Sequence, residues 1–170
     1  MGAKFTGYPK GLGIDLERCS TAQEHELGLV VEGLDAGGLA CQYRYVKFLD
    51  AVTYVAGHVV GLASATTWSV TNDRSGGSDL ALIPVGVVFQ STVPTQNQYG
   101  WVQCSGIATC LIEGAAVVAG DCLVLDGSND GAISEADYTG VAHVDLRSCA
   151  IAMATIADGA TGKCLLTNLI

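Results

Sequence analysis

Charged side chains are scarce in this chain, at 15 % of 170 residues against the usual quarter or so. So little charge is poor cover for an all-round solvated surface, and part of that surface is expected to be covered by other protein. Basic residues are scarcest, with 8 Lys and Arg against 17 Asp and Glu and a net charge of −9. No Lys/Arg cluster exists, which excludes a phosphate-backbone reader, so neither nucleic acid nor an anionic membrane is an expected partner. The apolar runs are short. Even "ALIPVGVVF" (81–89) is far below a membrane span, and the first twenty residues contain no apolar targeting core. "MGAKFT" matches the N-myristoylation pattern through Gly2 and Thr6, which has meaning only where the transferase is present.

Motifs of chemistry are also missing. The chain has no G-x-S-x-G, P-loop, H-E-x-x-H or C-x-x-C. The glycine-rich "DRSGGSD" (73–79) lacks the Lys and helix of a phosphate cradle and reads as a loop. The three histidines, His25, His58 and His143, have no zinc-like spacing. No enzyme activity and no cofactor are expected. Seven cysteines (Cys19, Cys41, Cys104, Cys110, Cys122, Cys149 and Cys164) form an odd set embedded in apolar surroundings such as "GDCLVL". They read as buried, reduced thiols rather than a disulfide framework.

What remains is short β-branched runs separated by glycine, with 22 glycines in all. Strands are expected near 27–32, 43–48, 58–63, 66–71, 85–90, 100–105, 121–126, 139–144, 149–156 and 162–168. No long stretch has a period of 3.6, so the fold class is all-β, a barrel or sandwich. One short helix is expected over "STAQEHEL" (20–27), where Ser20 and Gln23 could form a capping box. "AGHVVGL" (56–62) is echoed by "AGDCLVL" (119–125), followed by Gly86 and Gly100 in one copy and Gly140 and Gly162 in the other. This weak repeat, near 56–106 and 119–168, suggests two related β units.

Residues 1–20 differ in character and are read as an extended arm ahead of a β domain spanning 21–170. Five glycine and proline positions interrupt the arm, while Phe5, Tyr8, Leu12 and Ile14 are spaced apolar anchors. Such a segment is expected to order against a neighbouring subunit or a capsid. The loop "DGSNDGAISEAD" (126–137) places Asp126, Ser128, Asp130 and Asp137 at positions used by calcium loops. Its flanks read as strands, so a hairpin turn on "NDG" explains the same residues, and no metal is assigned.

The segments "GLVVEGLDAGGLACQYRYVKFLDAVTYVAGHVV", "VGVVFQ", "QYGWVQCSGIATCLI", "GAISEADYTGVAHV" and "CLLTN" together resemble the head decoration (cement) proteins of tailed bacteriophages, over roughly residues 27–170. The "YGWVQCSG" strand, Tyr99 to Gly106, carries most of that likeness. The long arm, the cysteine content and the "DGSNDG" loop depart from the family pattern. The resemblance implies a protein made in the bacterial host cytoplasm that binds the phage major capsid protein on the outer surface of the head and stabilises it. A homotrimer is expected from the low surface charge. Within "YGWVQCSG" the alternation puts Trp101, Gln103 and Ser105 on one face and Val102 and Cys104 on the other. Trp101 is expected to pack as scaffolding, at a barrel end or a subunit contact. The alternative function is a tail or fibre module binding host-surface glycans, which would require an exposed aromatic platform.

Overall fold

The computed structural model describes residues 14–34, 38–49, 53–64, 66–73, 83–91, 94–136, 148–167 and 169. Eleven strands follow in chain order: β1 (Val30–Leu34), β2 (Ala40–Phe48), β3 (Val59–Ser64), β4 (Ser69–Thr71), β5 (Pro84–Val87), β6 (Tyr99–Gln103), β7 (Gly106–Leu111), β8 (Cys122–Leu125), β9 (Ile133–Glu135), β10 (Ala150–Ala152) and β11 (Thr161–Leu166). Among the described residues there is no helix, and the one expected over 20–27 does not form. Ser20 instead makes an antiparallel bridge to Tyr99, and its Oγ accepts the Ala22 N–H at 3.1 Å. The capping oxygen is used in a local turn, one of the non-helical uses of serine that competes with helix starts. The expected strand at 139–144 lies outside the described residues.

The first sheet closes on itself. β2 pairs in parallel with β4, and β4–β3, β3–β5, β5–β6 and β6–β2 are antiparallel, which makes a five-stranded barrel. β1 lies outside this ring, antiparallel to β2 over Ala40–Arg44. The second sheet runs β7-β11-β10-β8-β9, antiparallel throughout. A parallel bridge between Ile112 and Ile133 links the end of β7 to β9.

The two units share one connectivity. In chain order β2 to β6 correspond to β7 to β11, and every pairing in the first ring has its counterpart in the second, including the single parallel one. The turns before β3 and β8 also match. "VAG" (55–57) and "VAG" (118–120) end in Gly57 and Gly120, with φ of 100° and 99°. Gly100 and Gly162 are each the second residue of the last strand of their unit. Gly86 lies in β5, whereas Gly140 falls outside the described residues, ahead of β10.

Alternation along the strands separates three cores. Val46, Phe48, Val60, Val70 and Val102 point into the first barrel. Tyr43, Tyr45 and Trp101, from the opposite faces of β2 and β6, form an aromatic layer outside it. Val59 and Val87, from the outer faces of β3 and β5, join the core of the second unit around Ile112, Leu123 and Cys164. The first barrel is therefore covered on one side by its own N-terminal segment and on another by the second unit. The turn between the units is at Gly106, with φ 81°, where a Cβ would come within 2.9 Å of the Cβ of Cys41. Both the backbone angle and the close approach select glycine.

Gly86 marks a tight approach within the first barrel, since a Cβ there would lie 2.6 Å from Val102 and 2.9 Å from the carbonyl oxygen of Gln103. The second neighbour is backbone and cannot swing aside. Gly86→Ala is expected to cost about 1–3 kcal/mol in urea unfolding through overpacking. Gly127→Ala, where a Cβ would meet nothing within 4 Å, is expected to stay within about 0.5 kcal/mol of the parent.

Candidate functional site

Strand β6 and the segment that covers it hold most of the residues singled out in the sequence. All of β6 after Tyr99 is buried. Trp101 is 1 % exposed, with its ring 5.0 Å from Tyr45 and 5.4 Å from His25. Its carbonyl accepts a hydrogen bond from Gln90 Nε2, and Gln90 is itself buried. Gln103 Nε2 donates to the carbonyls of Ser105 at 3.0 Å and Ile107 at 2.9 Å, which fixes the turn from β6 into β7. Trp101 thus packs within the chain, as scaffolding, and presents no ring to a ligand.

Residues 14–20 lie on this aromatic layer. Ile14 and Leu16 are buried against Tyr43, Tyr45, Cys41 and Trp101. Ser20 and Tyr99 exchange both backbone hydrogen bonds, at 2.9 and 2.7 Å. Tyr45 Oη accepts the Glu24 N–H at 3.1 Å, and burial is the main cause raising the Tyr45 phenol above its ordinary value. Arg18 pairs with Glu24 at 2.8 Å. Of the expected contact residues, Ile14 and Trp101 both belong to this buried layer. Phe5, Tyr8 and Leu12 lie outside the described residues.

Two cations rest on aromatic faces. The Arg44 guanidinium sits 4.4 Å from the centre of the Trp68 ring, and Lys47 Nζ lies 5.7 Å from that of Tyr99. Burial lowers the Arg44 pKa, and its Nε and Nη1 have no hydrogen-bond partner among the described residues. Stacking on the indole compensates part of that cost. The sequence offered no signal for this pair, because Arg44 and Trp68 are distant in the chain and meet only through the parallel β2–β4 pairing.

The acidic loop is the hairpin between β8 and β9, with Leu125 opposite Ile133. Asp126 is buried and points inward, and its Oδ1 accepts the N–H groups of Ser128 at 2.7 Å and Asn129 at 2.9 Å. The carboxylate therefore closes the turn itself. Asp137 lies outside the described residues, and among the described residues no group of three or more His, Cys, Asp or Glu could hold a metal ion. Among the described residues no disulfide joins the seven cysteines, and five of them are buried. Burial, then Glu17, pushes the Cys19 thiol up to about 11, and contact with Cys164 together with burial raises Cys110 well above its usual range.

A polar seam joins the two units. Gly131 of the acidic hairpin donates its N–H to the Asn72 carbonyl at 3.0 Å and accepts the Val59 N–H at 2.7 Å. The His58 ring packs on Gly131, and His58 Nδ1 lies 2.9 Å from Asn72 Nδ2, the amide donor, so Nδ1 is the acceptor. Burial lowers the His58 pKa, opposed by Asp130.

No protein-family profile matches the chain, and no curated protein matches it in sequence. Among solved structures it is similar to the crystal structure of the head fiber gp8.5 N base of bacteriophage phi29. The identity is 13 % and the TM-score 0.49, covering 75 % of this chain and 96 % of that one. A likeness at that level leaves the function of this chain open.

Two outcomes follow from the hairpin and the seam. Asp126→Ala removes the acceptor of two turn hydrogen bonds and is expected to cost about 1–3 kcal/mol, by the same amount in calcium or in chelator. A calcium-dependent rise in the parent melting temperature, abolished by the substitution, would make the loop a metal site instead. For His58, the folded value lies below the ordinary 6.5, so as pH falls through that value the unfolded chain takes up the proton first and stability drops. His58→Asn is expected to flatten the parent's loss of stability below that pH, read as urea midpoints from neutral to mildly acidic buffer.

Proposed function

We propose that this chain is a decoration protein of a tailed-phage head, binding the outside of the shell and reinforcing it without chemistry. The observation that carries the reading is the sequence likeness centred on "YGWVQCSG", which coincides with β6, the strand that closes the first barrel and leads into the second unit. A likeness concentrated at the position on which the packing most depends is a likeness of scaffold. The reading is also supported by the low charge of the chain and by a surface with exposed Leu29, Leu34, Leu39, Val118 and Met153.

Reinforcement needs only mass action. A protein that binds the assembled shell and not its separated subunits shifts the equilibrium away from rupture. Many copies bridging neighbouring capsomers multiply weak contacts. The rival reading as a glycan-binding fibre module needs exposed rings. Every aromatic side chain among the described residues is buried or half-buried, so those residues supply no such platform.

Quantitative mass spectrometry of purified virions tests the proposal. Copies on the order of hundreds per particle are expected, as multivalent coverage of a shell requires. Heads lacking the protein should release their DNA at a lower temperature and regain the parent value when purified protein is added. A handful of copies confined to the tail, or unchanged heat release without the protein, would overturn it.

A further inference from the structure

β1 is an edge strand without the usual protection. Its inner edge pairs with β2 over five residues, and among the described residues no strand pairs with its outer edge. Its sequence, "VVEGL", contains no lysine and no proline, the residues that commonly block edge-to-edge addition. Around it the surface is apolar: Leu29 is 37 % exposed, Val30 38 %, Leu34 43 % and Leu39 51 %. Among the described residues, Glu24, Glu26 and Glu32, in and just before this strand, are all exposed and all acidic.

The chain itself contains a segment of complementary chemistry. Residues 1–13, "MGAKFTGYPKGLG", carry Lys4 and Lys10 and no acidic side chain, with Phe5, Tyr8 and Leu12 between them. The other 157 residues hold 6 basic against 17 acidic side chains. The arm leaves the described structure at Ile14, and Leu16 Cδ1 lies 3.9 Å from where a Cβ on Gly33 of β1 would be. Extended, thirteen residues reach about 45 Å, enough to pass from one copy to the next. The arm also carries what β1 lacks, since Pro9 and two lysines on an added strand would stop further addition.

We infer that β1 is the receiving edge for residues 1–13 of a second copy of this chain. The arm adds as a strand through backbone hydrogen bonds, its apolar residues cover Val30 and Leu34, and its lysines meet Glu26 and Glu32. A second copy suits the edge better than the chain's own arm because exchange lets every copy donate one arm and receive one. That closes a ring and covers the apolar edge throughout. The inference stands on the edge and the arm alone and does not require the chain to be a capsid protein.

The test combines sedimentation velocity with amide hydrogen exchange. It uses the full chain, a chain lacking residues 2–13, and a full chain carrying Val30→Lys with Leu34→Lys. The full chain is expected to sediment as a closed oligomer, with the amides of 30–34 losing protection on dilution. Both variants are expected to be monomeric and to exchange those amides roughly tenfold faster or more at all concentrations. Their circular dichroism should remain that of the parent, because Ile14, Leu16 and the Ser20–Tyr99 bridge are retained. Protection at 30–34 that does not change on dilution would place the arm on its own chain and overturn the inference. An oligomer that survives removal of residues 2–13 would overturn it as well. If Val30→Lys with Leu34→Lys loses the β spectrum, a synthetic peptide of residues 1–13 added to the shortened chain decides. Restored protection at 30–34 supports the inference, and unchanged exchange refutes it.

Discussion

The antiparallel pairing of β2 with β6, from Tyr43 opposite Gln103 to Lys47 opposite Tyr99, is the contact on which the other packing depends. It closes the first barrel and so removes two sheet edges at once. It also brings Tyr45 beside Trp101 on the outer face and Val46 near Val102 on the inner one, so two cores form on either side of one ladder. With β6 buried on both faces, each of its side chains must suit an interior. Gly100 and Val102 accept close neighbours, and Gln103, the polar exception, is satisfied by two carbonyls. A buried amide with both donors used fixes geometry, where an apolar residue would only fill space.

The same connectivity repeats in the second unit with a weaker closure. Where β2 and β4 pair over two residues, the corresponding contact is a single bridge between Ile112 and Ile133. The second unit compensates through its neighbour. Val59 and Val87 of the first barrel fill part of its core, and Leu111 donates its N–H to the Gly57 carbonyl at 2.9 Å. The two units are therefore unequal partners. The "VAG" turn of the first docks on the second, while its equivalent at 118–120 faces solvent.

Much of this was legible in the sequence, for physical reasons. β-branched runs between glycines gave the all-β class, and alternation in "GWVQCS" separated Trp101 from Val102 correctly. Two strands were missed. β7 follows β6 after a turn of only two residues, and β9 is only three residues long. The expected helix over 20–27 had a capping signal but too few residues to outweigh the bridge that Ser20 makes to Tyr99. At the candidate site, the aromatic layer was half visible through Trp101 and Ile14. Arg44 on Trp68 and His58 beside Asn72 could not be seen, since each pair is created by strand order and not by spacing.

Seven cysteines without a disulfide among them give the molecule a chemical memory of unfolding. While the sheets are closed, Cys110, Cys149 and Cys164 are out of reach of oxidants and of one another's neighbours in other molecules. Once the chain opens in an oxidising medium, all seven become exchangeable, and an odd number cannot be satisfied within one chain. The one left over is then open to a bridge with another molecule or with a small thiol. Refolding would have to await its reduction. A reversible equilibrium thus becomes a one-way loss, and the lifetime of the folded state in such a medium is governed by how seldom it opens rather than by how favourably it closes.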